Sequence, residues 1–167
     1  MRKSIINLKE QPEYWLTLEE VKNMIKLTDW GCTTINISKE KPISTADFLF
    51  CFLDGYKNSD EVGKQFGISG ATISNRLKQI PRFLETRGQP GSKQTVWIRT
   101  LLFLGLKRCF KCQKILPLEF FRDGRSDKNR ADGKTSECAV CGKKRYESLP
   151  AEVHEKYKKE VLKPGTP

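Results

Sequence analysis

Four of the six cysteines in this 167-residue chain form two pairs of one kind, Cys109-Phe110-Lys111-Cys112 and Cys138-Ala139-Val140-Cys141. Two residues between thiols let the amides of a tight turn point at the sulfurs, and two such pairs supply four soft ligands. Zinc prefers a closed tetrahedron of that kind. The spacing therefore points to one structural Zn(2+) held by Cys109, Cys112, Cys138 and Cys141. Four thiolates on a divalent cation leave a surplus negative charge, and Lys107, Arg108, Lys111, Lys143 and Lys144 lie nearby in the sequence to offset it. A disulfide or a redox C-x-x-C is the other reading of these residues. A redox site needs only one pair, opening a helix in a βαβ context that this chain lacks, and disulfides are rare in intracellular proteins. Cys32 and Cys51 stand alone and read as reduced thiols.

A second group of candidate residues lies on the stretch Asn58 to Ile80. Ser59 can cap a short helix, with Asp60 and Glu61 against its positive end. Gly67 stops that helix by accepting a left-handed conformation. Ser69 can cap a second helix on which Ile73, Leu77 and Ile80 share one face. Ala71 or Thr72, Asn75, Lys78 or Gln79, and Arg82 fall opposite. Small, amide and cationic groups on an outward helix face are the kind that read a major groove. The candidate contacts there are Ser69, Ala71, Thr72, Ser74, Asn75, Arg76, Lys78, Gln79 and Arg82. Asn75, helped by Gln79, would read base edges while the cations fix register on phosphates.

Charge supports the same expectation. The formal net charge is +11, and it is unevenly placed. Residues 1–69 carry a net −1, residues 70–100 a net +5 and residues 107–145 a net +7. The basic stripe begins at the second helix and runs to the last cysteine pair, so double-stranded DNA is the expected partner. No run approaches the roughly 20 apolar residues of a membrane span. Met1-Arg2-Lys3-Ser4 opens no apolar signal core. A soluble, cytoplasmic protein is expected.

The elements that must position these groups follow from the patterning. Thr17-Leu18-Glu19-Glu20 has the capping-box form, so a helix should begin at Leu18 and end near Thr28-Asp29-Trp30-Gly31. Thr33 to Ile37 alternates and is β-branched, a short strand; Lys39-Glu40-Lys41-Pro42 reads as a linker or turn. Ser44 can cap a helix over about 45–55 whose Phe48, Leu49, Phe50, Cys51, Phe52 and Leu53 make it apolar all round, hence central. After Pro81 the period changes. Phe83 to Thr86 and Thr95 to Arg99 read as strands around a Gly/Pro turn carrying Arg87 and Lys93. Leu101 to Leu106 reads as a strand or short helix. The helix after Cys141 carries Lys143, Lys144 and Arg145, three further candidate contacts to DNA phosphates. A last helix from Pro150 bears Val153, Tyr157 and Val161 as a stripe.

Residues 43–100, in the order helix, helix, helix, hairpin, resemble the winged helix-turn-helix family. The stretch Gly67 to Leu77 is similar to the turn and recognition helix of many bacterial and phage regulators. The resemblance implies that the wing, through Arg87 and Lys93, touches phosphate or the minor groove. Residues 107–147 resemble a treble-clef zinc module common in bacteriophage proteins. The hallmarks are the first cysteine knuckle, the Leu116-Pro117-Leu118 segment ending in Phe121, the Asp132-Gly133-Lys134 turn and a helix at the second pair. Relatives of this module introduce the active site of phage recombination endonucleases of the HNH type. Those need histidines and an Asn after the last cysteine. Here no histidine lies between the pairs, Gly142 follows Cys141, and the only histidine is His154 in the tail. The ligands carry over and the catalytic residues do not. Asp123, Asp127 and Asp132 read as turn or solvated carboxylates rather than a magnesium site.

The expectation is thus an α+β chain. Residues 1–42 form an N-terminal helix/strand extension, 43–106 a winged helix-turn-helix, 107–148 the zinc module, and 149–167 a C-terminal helix and tail. The function expected is sequence-specific DNA binding, as in a phage-encoded transcriptional regulator without enzymatic activity. The alternatives are a DNA nuclease related to HNH enzymes, and a zinc-stabilised adaptor for host RNA polymerase or another replication or transcription factor. Oligomeric state is left open.

Overall fold

The computed structural model describes residues 15–38, 41–85, 95–124 and 133–151. Over these the chain is a mixed α+β structure of short helices and three two-stranded antiparallel sheets. Helix α1 (Leu18–Leu27) starts at the expected capping box: Thr17 accepts from the Glu20 amide, and Glu20 accepts from the Thr17 amide at 2.7 Å. Two strands follow, β1 (Thr34–Ser38) and β2 (Lys41–Ser44), paired with Ile35 opposite Ile43 and Asn36 opposite Pro42. The second strand falls partly on residues that read as a turn. Proline is tolerated there because a two-stranded ribbon consists only of edges.

Helix α2 (Thr45–Leu53), capped by Ser44, is the centre of the molecule. Phe48, Leu49, Phe52 and Leu53 are fully buried. It packs on α1, on the β1–β2 ribbon, and on α3 (Ser59–Phe66) and α6 (Val96–Phe103). Helix α4 (Gly70–Leu77) adds Ile73 and Leu77 to the same core, with Ile80 behind it. Trp30 closes one side, stacked on Phe103 at 4.9 Å between ring centroids and donating its indole N–H to Ile25 O at 2.8 Å.

Three sequence expectations are corrected here. The α3 cap is Asn58, which accepts from the amides of Asp60 and Glu61 while Glu61 accepts from the Asn58 amide. Capping from Ser59 would put Val62 at the position of the returning carboxylate, so the reciprocal box forms one residue earlier. Helix α4 ends at Leu77, and Arg82 belongs to a separate helix α5 (Pro81–Glu85). Pro81 has no N–H to continue α4 but is well placed to open a new helix. Finally, the segments read as wing strands, 83–86 and 95–99, are helical where described, in α5 and α6. The alternation at 95–99 is short and continues into Leu101, Leu102 and Phe103. As a helix the run buries Leu101 and packs Val96, Trp97 and Phe103 on the main core, which outweighs the β-preference of Val96 and Ile98. Thr100 meets its own need by donating to Val96 O at 3.0 Å. Arg87 and Lys93, the wing-tip cations, lie outside the described residues, as does the stripe of Val153, Tyr157 and Val161.

The cysteine-bearing segment grows directly out of this core. Strand β3 (Leu106–Arg108) follows α6 and pairs with β4 (Ile115–Pro117). Leu106 and Ile115 are members of the main apolar core, and the Leu16 amide donates to Ile115 O at 2.9 Å. A 3-10 turn, Leu118–Phe120, leads to β5 (Phe121–Asp123), which pairs with β6 (Lys134–Cys138). Helix α7 (Ala139–Glu147) completes the segment.

Helices α3 and α4 cross closely because of Gly63. A Cβ added there would lie 2.5 Å from Ile68 O and 3.2 Å from the Gly70 amide. Gly142 in α7 faces open space. Both are helical, so propensity alone would favour alanine by about 1 kcal/mol at each. The crossing reverses the sign at one. Gly63→Ala is expected to destabilise by about 1–3 kcal/mol through overpacking, and Gly142→Ala to be neutral or stabilising. Thermal melts followed by the helical signal compare the two. A Gly63→Ala melt at or above that of the parent would contradict this crossing.

Candidate metal centre and nucleic-acid interface

Cys109 follows β3, and Cys112 closes the turn before β4. That turn is tied by Cys109 N–H to Lys114 O and by Gln113 N–H to Cys109 O, both at 2.9 Å. Gln113 adopts a left-handed φ of 63° to make it. Phe110 N–H donates to Ser136 O at 3.0 Å, which holds the turn against β6. Cys138 ends β6 and is the N-cap of α7, and Cys141 sits in the first turn of that helix. The second pair thus lies where a helix presents unpaired amides and a partial positive charge, which favours thiolate.

The four Sγ atoms lie within 4.8 Å of one another. A tetrahedron of thiolates on zinc has sulfurs about 3.8 Å apart, so small side-chain adjustments suffice. The Cys138 amide donates to Cys109 Sγ at 3.3 Å. All six cysteines are unbridged. This donor set fits one metal ion, as the pair spacing implied.

The thiols differ in acidity for physical reasons. Burial pushes Cys109 up, but the amides of Cys112, Cys138 and Lys111 outweigh it and bring the thiol down to about 7. Burial raises Cys138, against a smaller opposing pull from the Cys141 amide. Cys141 is raised by burial first, then by hydrogen bonding with Cys138 and Cys112 and by the charge of Cys138 and Cys109. The bare cluster therefore favours thiolate at Cys109 and protons on Cys138 and Cys141. A divalent cation would displace those protons. Around the sulfurs, Leu116, Phe120 and Phe121 form a small core with Cys109 and Cys138, apart from the main one. Of the carboxylates in this segment, Asp123 is paired with Lys134 at 2.7 Å; Asp127 and Asp132 lie outside the described residues, as does His154.

Cys32 and Cys51 belong to neither site. Cys32 Sγ is 3.3 Å from Thr45 Oγ1 and 3.6 Å from Gln79 O, and burial raises Cys51.

The candidate groove-reading residues divide into two sets. Ala71, Ser74, Asn75, Lys78 and Gln79 are exposed, with Lys78 as the cap that ends α4 and Gln79 in the turn beyond it. Ser69 and Thr72 are occupied with capping: Ser69 Oγ accepts from the Thr72 amide at 3.2 Å and shares a hydroxyl contact with it at 2.9 Å. Asn75 Oδ1 accepts from Lys78 Nζ at 2.7 Å. Arg76 is half-buried, and its Nε has no hydrogen-bond partner among the described residues. Arg82 pairs with Asp29 at 3.4 Å. In α7, Lys143 pairs with Glu147 at 3.6 Å, Arg145 with Glu137 at 3.2 Å, and Lys144 is exposed.

Sequence reading missed the joint between the two sites. The Arg108 guanidinium lies 3.8 Å from the Tyr56 ring centroid, and Tyr56 packs edge-on to Trp97 at 5.0 Å. Lys114 covers Trp15 at 3.5 Å. These cations flank the first cysteine pair and attach it to the turn after α2 and to the segment before α1. Only contacts between residues distant in sequence reveal that role. Among the described residues, no helix is long and apolar enough to cross a membrane. The chain matches no protein-family model, no curated protein and no solved structure.

Protein purified without chelator is expected to carry one metal ion per chain by elemental analysis. Replacing Cys138 with Ser should remove it and unfold the segment around β5, β6 and α7. Metal-free parent protein that retains the fold of α7 would contradict this assignment.

Proposed function

We propose that this chain is a sequence-specific DNA-binding protein. It places α4 in the major groove and uses a zinc-filled module to lay further cations on the flanking phosphates. The observation that carries the reading is the α3–α4 pair. It crosses tightly at Gly63 and turns at Gly67, whose φ is 68°. It buries Ile73 and Leu77 while leaving Ala71, Ser74, Asn75 and Lys78 exposed on a helix without a carboxylate. Small side chains there let the backbone approach a groove, and Asn can both donate to and accept from adenine's edge. To do so Asn75 must release Lys78, which can then turn to a phosphate.

The helix-turn-helix of this reading has no β-wing among the described residues. Zinc is the ion best suited to four cysteine ligands in a closed site. The order of knuckle on a hairpin, second hairpin, then helix is that of a treble clef. A regulatory role of the phage kind rests on the sequence resemblance alone. A binding protein is proposed rather than a nuclease, since Asp123 is engaged by Lys134 and no histidine lies between the cysteine pairs.

The test is binding against salt concentration, on duplexes selected from a random library and on scrambled ones. Asn75→Ala should cost roughly 1–3 kcal/mol on the selected site and much less on scrambled DNA. Neutralising Lys143, Lys144 or Arg145 should weaken both, each lost phosphate contact lowering the salt slope by about one. Equal losses on both duplexes for Asn75→Ala would make the helix pair a scaffold.

A further inference from the structure

The first cysteine turn presents an aromatic ring that the fold does not use. Phe110, between Cys109 and Cys112, is 75% exposed. Its backbone is committed on both sides: the N–H donates to Ser136 O at 3.0 Å, and the carbonyl accepts from Gln113 Nε2 at 2.5 Å. The ring therefore stands in solvent on backbone that is already fixed and that a bound metal would cross-link. Trp15, another exposed ring, is covered by Lys114. Phe110 makes no ring or cation contact among the described residues, and Lys111 beside it is exposed.

The surroundings decide what such a ring could receive. Protein-binding aromatics sit at the centre of an apolar patch that excludes water. Phe110 instead stands in a segment with a net +7 over residues 107–145. A rigid aromatic face beside the exposed Lys111 suits a flat base with its phosphate, and every base offers a π-face for stacking. Bases inside a duplex are stacked on both sides, so the base must be unpaired.

We propose that Phe110 and Lys111 form a stacking site for an unpaired base of a DNA strand, so that the zinc module engages single-stranded DNA. This rests on the reading of the chain as a DNA-binding protein. The probe is a thymidine strand of about a dozen nucleotides carrying one 2-aminopurine, whose fluorescence falls on stacking. It is titrated with the metal-loaded full chain, with Phe110→Ala and with Phe110→Trp. A duplex titration and a metal determination run on each. Phe110 is 75% exposed and is not a ligand, so all three should keep their metal. Phe110→Ala should bind the strand roughly fivefold to a hundredfold more weakly, Phe110→Trp should restore binding and quenching, and duplex affinity should stay constant. A parent chain that binds duplex but not the strand overturns the proposal, as does Phe110→Ala binding the strand as tightly as the parent. Either result would leave the ring to a protein partner. Binding to neither DNA would sink the DNA reading itself.

Discussion

Four sulfurs within one ion's reach set the conditions for everything after residue 106. The segment that carries them has a separate core of five buried residues, Cys109, Leu116, Phe120, Phe121 and Cys138, and two of those are ligands. So small an apolar cluster cannot offset the entropy of ordering two hairpins and a helix. A metal ion held between the first hairpin and the start of α7 would supply what burial lacks. The same constraint would aim α7, since Cys138 caps it and Cys141 lies in its first turn.

The other end of the segment is held by ordinary packing. Leu106 and Ile115 enter the main core, Leu16 bridges to Ile115, and Arg108 lies on Tyr56. One hairpin therefore belongs to two cores. It joins α6 and the main core through Leu106 and Ile115, and the cysteine cluster through its turn. That arrangement would let the helix pair and the basic cysteine module act together on one length of DNA, as proposed. Chains of packed groups run from the first cysteine pair to α2, which α3 contacts.

What could be read from the sequence was local chemistry. The Thr17–Glu20 box, the Ser44 and Ser69 caps, the Gly67 stop and the apolar surface of α2 are each decided by a few adjacent side chains, and each appears in the structure. The cysteine spacing is of the same kind. The misread wing depended on tertiary context. Val96 to Phe103 suits a strand by residue type, yet as a helix it buries Leu101 and packs Val96, Trp97 and Phe103 against the main core. The roles of Arg108 and Lys114 were hidden for the same reason, because Tyr56 and Trp15 are their neighbours only in space. At the end of α4, the face projected through to Arg82 ignored Pro81, which ends one helix and opens the next.

The proposed DNA binding requires α4 to be the surface that meets the duplex. The direct measurement is amide chemical-shift mapping of the isotope-labelled, metal-loaded chain on adding its selected duplex. The expected result is a set of changes centred on residues 69–79, with a second set near 143–145, while α1 and the β1–β2 ribbon keep their positions. Changes concentrated on α1 or that ribbon, with 69–79 undisturbed, would contradict it.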